Sequence, residues 1–550
     1  MATLTLRWLS LALTAGLCWL LVPAPATAQD LRQSRLVDVA WLQEHRDQVL
    51  LLDASMTQQH LAGHIPGAVS VDLYRYGASL PTPAEMELRI QSWGVSPGHK
   101  IVVYDQGGDM MATRLFYDLH YHGLPATDLF ILDGGLARWR AQGGAAVKEP
   151  TPAPPRGSYR ITELRESVRV RLPEFLVASG DPVGHALVDA LDPGYHYGAQ
   201  RFFDRAGHVP NALPMPHADF YNADKTFKSP AEIRSMLRYL GIRSDQVAHS
   251  HCGGGVAASV PWFALQFVAG HPRATLYLES QREWLRDDRG LPFWTYGAPR
   301  LWRDSAWLNG WNGRMQRMFD VAQLNIVDVR DAAAHAQGHL PFSINIPADT
   351  FRTQLDRPEA LAMLLGPASV NPAHEAVILS EGGLTPGAAL AFLALEQLGH
   401  AKVSVLMASV DDWGLQGFEL TKEPTRVGRP QSPREITVPA AIYSARPRAP
   451  VLISDARSTP GEYPKVFVAS GKAAPARALP GPSLALPHSD LLNADGRPKT
   501  APELWQRISA AGVPRHAEVV LVADDLAEAA INYYIFRLMG WPDVKVWAGR

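Results

Sequence analysis

The chain holds two cysteines, Cys18 and Cys252, and the second lies in the segment best suited to chemistry. That segment reads His249-Ser250-His251-Cys252-Gly253-Gly254-Gly255-Val256-Ala257-Ala258-Ser259. A strand is expected to enter, three glycines let the backbone curl through positive φ, and a helix leaves. Such a turn aims backbone N–H groups at one point above a helix N-terminus. Gly253, Gly254, Gly255, Val256 and Ala257 are therefore read as a cradle for an anionic sulfur, either the thiolate of Cys252 or the outer sulfur of its persulfide. The plainer alternative is a glycine-rich turn with a packed-away thiol. A Cys-x5-Arg phosphate loop would need arginine at 258, where the chain has Ala258. Strand alternation puts His249 and His251 on the face opposite Ser250 and Cys252, which reads as core or surface rather than as a catalytic base. The spacing of His, Cys, Asp and Glu makes no metal set, and no cofactor is expected.

The elements that must hold this loop recur four times. Each unit opens with an apolar strand ending in aspartate: Leu50 to Asp53, Ala186 to Asp189, Ile326 to Asp328 and Val451 to Asp455. A Gly-His-x-Pro turn follows at Gly63, Gly207 and Gly338, with a degraded copy from Ala478 to Gly481. A second apolar strand then runs into a loop and a helix. Three units close with a strand, a turn and Trp139, Trp284 or Trp413. The aspartates are expected to tie down the turn after each strand. Strands alternating with amphipathic helices predict an α/β fold with a mostly parallel sheet per unit. The expected domains are 31–149, 165–297, 305–424 and 434–550, joined by linkers rich in proline and glycine. Counting back from the glycine that ends each loop helix places Asp105 and Glu381 where unit two has Cys252, with Asp524 and Asp525 nearby in unit four. Acidic side chains cannot carry sulfur, so these three units are read as structural or binding domains.

The Asp-ending strand, Gly63 to Ala68, Leu132 to Trp139 and the cysteine loop together resemble the rhodanese-like domains. Units one and two resemble two-domain thiosulfate and 3-mercaptopyruvate sulfurtransferases, and units three and four a more divergent pair, so the fold class is four tandem rhodanese-like domains. The resemblance implies that Cys252 takes sulfur from thiosulfate or 3-mercaptopyruvate and passes it to cyanide or a thiol by two half-reactions. It also implies donor-binding arginines ahead of the Gly-His-x-Pro turn, where Arg201 and Arg205 stand and Tyr195 occupies the place of an expected arginine. Gly253 and Gly254 lean toward the uncharged loop of mercaptopyruvate users, whereas an exported enzyme meets thiosulfate more readily. A non-catalytic sulfur carrier or scaffold remains the alternative from another class.

Arg7, the apolar run Trp8 to Val22 and Ala26-Thr27-Ala28 predict a signal peptide, residues 1–28, cleaved before Gln29. The expected location is periplasmic or secreted, with Cys252 the one cysteine left and no membrane attachment after cleavage. A net charge of -2 with 19% charged residues removes the electrostatic case for nucleic acid. Oligomeric state is not legible. Proline-rich hinges predict that residues 31 to 300 fold without the rest.

Overall fold

The computed structural model describes residues 34–548 except 77–78, 320, 430, 433–434, 447–450, 456–461, 477 and 482. The segment expected to be a signal peptide, residues 1–28 with Cys18, lies outside these residues. Four parallel sheets follow one another along the chain. The first contains β1 (Leu36–Val37), β2 (Val49–Asp53), β3 (Val69–Ser70), β4 (Lys100–Tyr104) and β5 (Leu129–Leu132) in the order 1-5-4-2-3. The second contains β6 (His185–Asp189), β7 (Ala212–Pro214), β8 (Val247–His251) and β9 (Ala274–Leu276) in the order 7-6-8-9. A parallel bridge from Arg169 to Leu276 supplies its missing edge.

The third sheet repeats the first, with β10 (Trp302–Arg303), β11 (Leu324–Asp328), β12 (Ser343–Asn345), β13 (Glu375–Leu379) and β14 (Lys402–Leu406) ordered 10-14-13-11-12. A two-stranded parallel ribbon, β15 (Arg426–Val427) and β16 (Thr437–Val438), then leads to the fourth. There β17 (Leu452–Ile453), β18 (Lys465–Ala469), β19 (Ser483–Ala485), β20 (Glu518–Val522) and β21 (Val544–Trp547) again stand in that order, 17-21-20-18-19. Parallel neighbours need crossovers, which the helices provide, and most inner strands read as near-continuous apolar runs because both faces are covered, whereas β8 reads Val-Ala-His-Ser-His.

The strand-end aspartates do what the sequence predicts. Asp53, Asp189 and Asp328 are fully buried, and each accepts a hydrogen bond from the backbone N–H two residues on, at Ser55, Leu191 and Arg330. The Gly-His-x-Pro histidines are structural as well: His64, His208 and His339 stack on His60, His196 and His335 at 3.6 to 3.8 Å. Unit four differs from expectation. Its Leu452–Ile453 strand pairs with the last strand at the sheet edge, as Leu36–Val37 does, so Asp455 does not mark the opening strand. That role belongs to β18, where Ser470 follows and its N–H donates to Val522 O as Ala54 N–H does to Tyr104 O.

Contacts also cross between the two halves of the chain, contrary to the hinge reading. Tyr197, 3% exposed, stacks on Trp505 and Trp541 at 5.2 and 6.2 Å and donates its hydroxyl to Met539 O at 3.1 Å. Arg515 pairs with Asp219, and Tyr239 donates to Ala517 O at 2.9 Å. Units two and four are therefore packed together and not merely strung on a linker. Replacing Tyr197 by alanine removes a buried ring and its hydrogen bond and should cost about 3 kcal/mol in urea unfolding. An unchanged unfolding midpoint would show that this contact contributes nothing to stability.

Candidate active site

Cys252 follows the last residue of β8 and is 3% exposed. Its backbone is fixed from the neighbouring strand connection. Cys252 N–H donates to Ser280 Oγ at 3.0 Å, and Cys252 O accepts from Gln281 N at 3.0 Å. Gly253 O likewise accepts from Arg282 N. Ser280 holds φ at +53° and its hydroxyl donates to Tyr277 O, so a left-handed residue in one loop braces the other.

The turn then reverses at Gly255, where φ is +86°. Gly255 N–H donates to Cys252 Sγ at 3.0 Å. A side chain at this position is doubly excluded, since a Cβ would lie 2.1 Å from Leu278 O. Gly253 and Gly254 do not share the positive φ expected of all three glycines. A Cβ on Gly254 would meet open space, and one on Gly253 would touch Phe202 at 3.2 Å.

The remaining amides of the loop are the chemically informative part. Among the described residues, the N–H groups of Gly253, Gly254, Val256, Ala257 and Ala258 have no acceptor. Buried amides are ordinarily paired, so a run of free donors beside a buried sulfur fits an anion that the loop is shaped to receive.

The corresponding loops of the other units are filled instead. Register places Tyr104, His251, Leu379 and Val522 at equivalent strand ends. The residues at the position of Cys252 are therefore Asp105, Ser380 and Ala523. This bears out Asp105 and corrects Glu381, which lies one residue further along, while Asp524 and Asp525 stand near the unit-four position, as expected, with Ala523 at it. The count fails because the segment up to the helix-ending glycine is one residue longer in unit three and one shorter in unit four. Asp105 occupies its own cradle, accepting from Gly107 N at 2.8 Å and Ala112 N at 2.9 Å. In unit three Gly383 N and Leu384 N donate to Met407 O and Gly496 O, and in unit four Asp525 takes Ala527 N.

The rest of the Cys252 surroundings is aromatic and sparsely charged. Phe202, 54% exposed, packs on Gly253 and stacks on Tyr195 at 4.3 Å, an aromatic wall that the sequence reading missed. Arg201 stands beside it, exposed and with no partner among the described residues. Arg205 is held elsewhere, donating to Leu291 O at 2.7 Å and lying over the Phe293 ring. Arg282 follows Gln281 and donates to Ser79 Oγ of unit one, which brings a cation to the rim of the loop from an element not considered in the sequence. His249 bonds Thr275 and His185, and His251 packs its ring edge-on to Phe175. Burial lowers both to about 4, so they stay neutral and belong to the core.

A family model described as the rhodanese-like domain matches residues 38–142 and 312–416. A probable 3-mercaptopyruvate sulfurtransferase of Pseudomonas aeruginosa is 32% identical over 240 residues, which cover 41% of this chain and 82% of that protein. The sulfur carrier protein TtuD of Thermus thermophilus is 29% identical, covering 45% and 93%. A thiosulfate sulfurtransferase of Pseudomonas aeruginosa is 29% identical, covering 43% and 88%. Each match spans less than half of the present chain.

Two outcomes test this geometry. Gly255→Val should lower the rate of Cys252 alkylation and any sulfur transfer by more than about tenfold through lost loop geometry, while Gly254→Ala changes neither by more than about twofold. Equal effects at the two positions would contradict the assignment of the turn. In unit one, burial and then the charge of Asp109 push the Asp105 carboxyl up to about 7 despite its two N–H donors. A carboxyl with a raised folded value takes up a proton on folding, so its contribution to stability is greatest below about pH 4 and is lost as pH rises toward about 7. Asp105→Asn should therefore gain stability relative to the native chain between about pH 5 and about pH 8 in urea unfolding. A difference that does not vary with pH would show that Asp105 is ionised throughout.

Proposed function

Because the chain belongs to the rhodanese-like family of sulfurtransferases, we propose that it moves sulfane sulfur from thiosulfate to cyanide or a thiol through a persulfide on Cys252. The observation that carries this reading is the loop of unpaired amides around a buried sulfur in unit two, where the unit-one loop is occupied by the Asp105 side chain and two unit-three amides are taken by Met407 O and by Gly496 O of unit four. The Cys252 thiolate attacks the outer sulfur of thiosulfate, the S–S bond breaks, and sulfite leaves with the electron pair. Cyanide then attacks the outer sulfur of the persulfide, giving thiocyanate and returning the thiolate. Gly255 N–H and the free amides would hold the negative sulfur between these steps. Phe202 and Tyr195 screen one side, and we assign Arg201 and Arg282 to drawing in an anionic donor, since both belong to segments that reach the loop at Gly253.

A second donor, 3-mercaptopyruvate, is favoured by the uncharged Gly253-Gly254-Gly255 run and by the relatives that carry that name. Here the C–S bond breaks and the enolate of pyruvate leaves. The shared strand order of the four sheets supports reading each as a rhodanese-like unit, with units one, three and four as structural or binding partners of unit two. A carrier role, in which Cys252 holds sulfur for a protein acceptor without rapid turnover, is supported by the relative named a sulfur carrier protein. The leader read from Arg7 to Ala28 supports a periplasmic or secreted site of action.

Steady-state rates with cyanide and either donor distinguish these readings. The native chain should turn over, thiosulfate should give the higher kcat/KM, and Cys252→Ser should reduce both activities to the uncatalysed rate. A higher kcat/KM for 3-mercaptopyruvate would reverse the donor order. Turnover surviving in Cys252→Ser would remove the cysteine from the mechanism.

A further inference from the structure

A cavity of about 800 Å³ opens in unit three, at the end of the sheet opposite the loop that corresponds to the Cys252 turn. It lies between the starts of β11 and β13 and the β15–β16 ribbon, with Leu324, Asn325 and His374 on one side and Thr437 to Ala441 on the other. Its size is that of a small-molecule site, and most of its lining is apolar, with Phe342, Ile344, Met318 and Val438 prominent.

The charged groups in this lining are mostly cationic, Arg314, Arg317 and Arg429 against the single carboxylate of Glu435. Arg317 donates to Asn312 Oδ1 at 3.0 and 2.7 Å and to Leu324 O at 3.2 Å, and its guanidinium stands 4.7 Å over the Phe342 ring. None of these partners is an anion, and among the described residues Arg317 makes no ion pair. Burial lowers Arg317 to about 10, as expected for a charge withdrawn from water without a counterion. Arg314 and Arg429 line the same space. The one lining carboxylate, Glu435, is already engaged by Arg426 and by Gln431 N. Ser369 supplies an independent observation: it is 3% exposed, holds φ at +68°, and its hydroxyl is buried with no hydrogen-bond partner. A buried hydroxyl in a strained backbone position, lining the same cavity as a cation without a counterion, is what an absent polar ligand group leaves behind.

We propose that this cavity binds a small organic anion, an aromatic or alkyl body carrying one carboxylate or sulfonate head. The head faces Arg317, the Ser369 hydroxyl donates to the ligand, and the body lies on Phe342, Ile344 and Val438. This site is separate from Cys252, so binding here neither requires nor reports on sulfur transfer.

The probe is 8-anilinonaphthalene-1-sulfonate, titrated by fluorescence into the full chain, with N-phenyl-1-naphthylamine as the same apolar body without the anion. The sulfonate should saturate one site, and the neutral dye should bind at least about tenfold more weakly, the loss of one charge-assisted contact. Arg317→Met should bring the sulfonate down to the affinity of the neutral dye. Because Arg317 also holds Asn312 and Leu324, a second variant is needed. Ala440→Trp, on the exposed opposite wall, should fill the cavity and abolish binding while leaving thermal unfolding unchanged. Absence of saturable binding, equal affinity for the two dyes, or sulfonate binding that survives Ala440→Trp would each overturn the proposal.

Discussion

The arrangement around Cys252 depends on one backbone reversal, the left-handed turn at Gly255 packed against Leu278 O. The carbonyl comes from the segment after β9, so the turn is closed by a strand connection distant in sequence. Only a residue without Cβ fits there, and once it is in place its N–H points at the sulfur. Gln281, Arg282 and Ser280 then pin the backbone of Cys252 and Gly253 from the same segment. In the proposed reaction, a nucleophile held by such non-local bonds is positioned before any donor arrives, and the free amides around it need not reorganise when charge moves onto the outer sulfur.

The four units differ in how the loop after the second central strand is filled. The scaffold is the same, and the difference lies in where the loop amides point their hydrogen bonds. Asp105 fills the unit-one loop with its own carboxylate, and the turn Asn222 to Phe227 of unit two lies over it, with Phe227 N donating to Asp133 and Arg138 paired with Asp224. Unit three is covered in the same way by unit four, through Gly496 O and Arg497. Pairing thus closes the first loop of each pair by contacts from the second. The halves are in turn joined through Tyr197, which lies next to the segment carrying Tyr195 and Phe202 onto Gly253, so unit four braces the wall of the candidate site.

Much of this was legible in the residues and some was not. The aspartates, the Gly-His-x-Pro turns, the α/β class and the cysteine loop are local patterns, and local patterns can be read directly. Glycine identity alone did not reveal which of three consecutive glycines reverses the chain, because the deciding atom is Leu278 O. Ser280, Phe202 and Arg282 reach the loop only through tertiary folding and carry no sequence signal. The Glu381 count failed on a one-residue change in segment length, which register across the sheet resolves at Ser380. Asp455 misled because the short apolar strand before it, β17, lies at the sheet edge, while the strand that takes the opening role in unit four, β18, ends in Ala469 and carries no aspartate there. The crossing contacts at Tyr197 were hidden behind linkers whose composition suggests independence.

The central claim is that Cys252 holds transferable sulfur in a loop built for an anionic sulfur. The most direct measurement is peptide mass spectrometry of the full chain after brief exposure to thiosulfate or 3-mercaptopyruvate, followed by cyanide. The account predicts that the peptide containing Cys252 gains the mass of one sulfur atom, that cyanide removes it with release of thiocyanate, and that Gly255→Val greatly reduces the gain. A Cys252 peptide that stays unmodified with both donors, or one whose sulfur cyanide cannot remove, would contradict it.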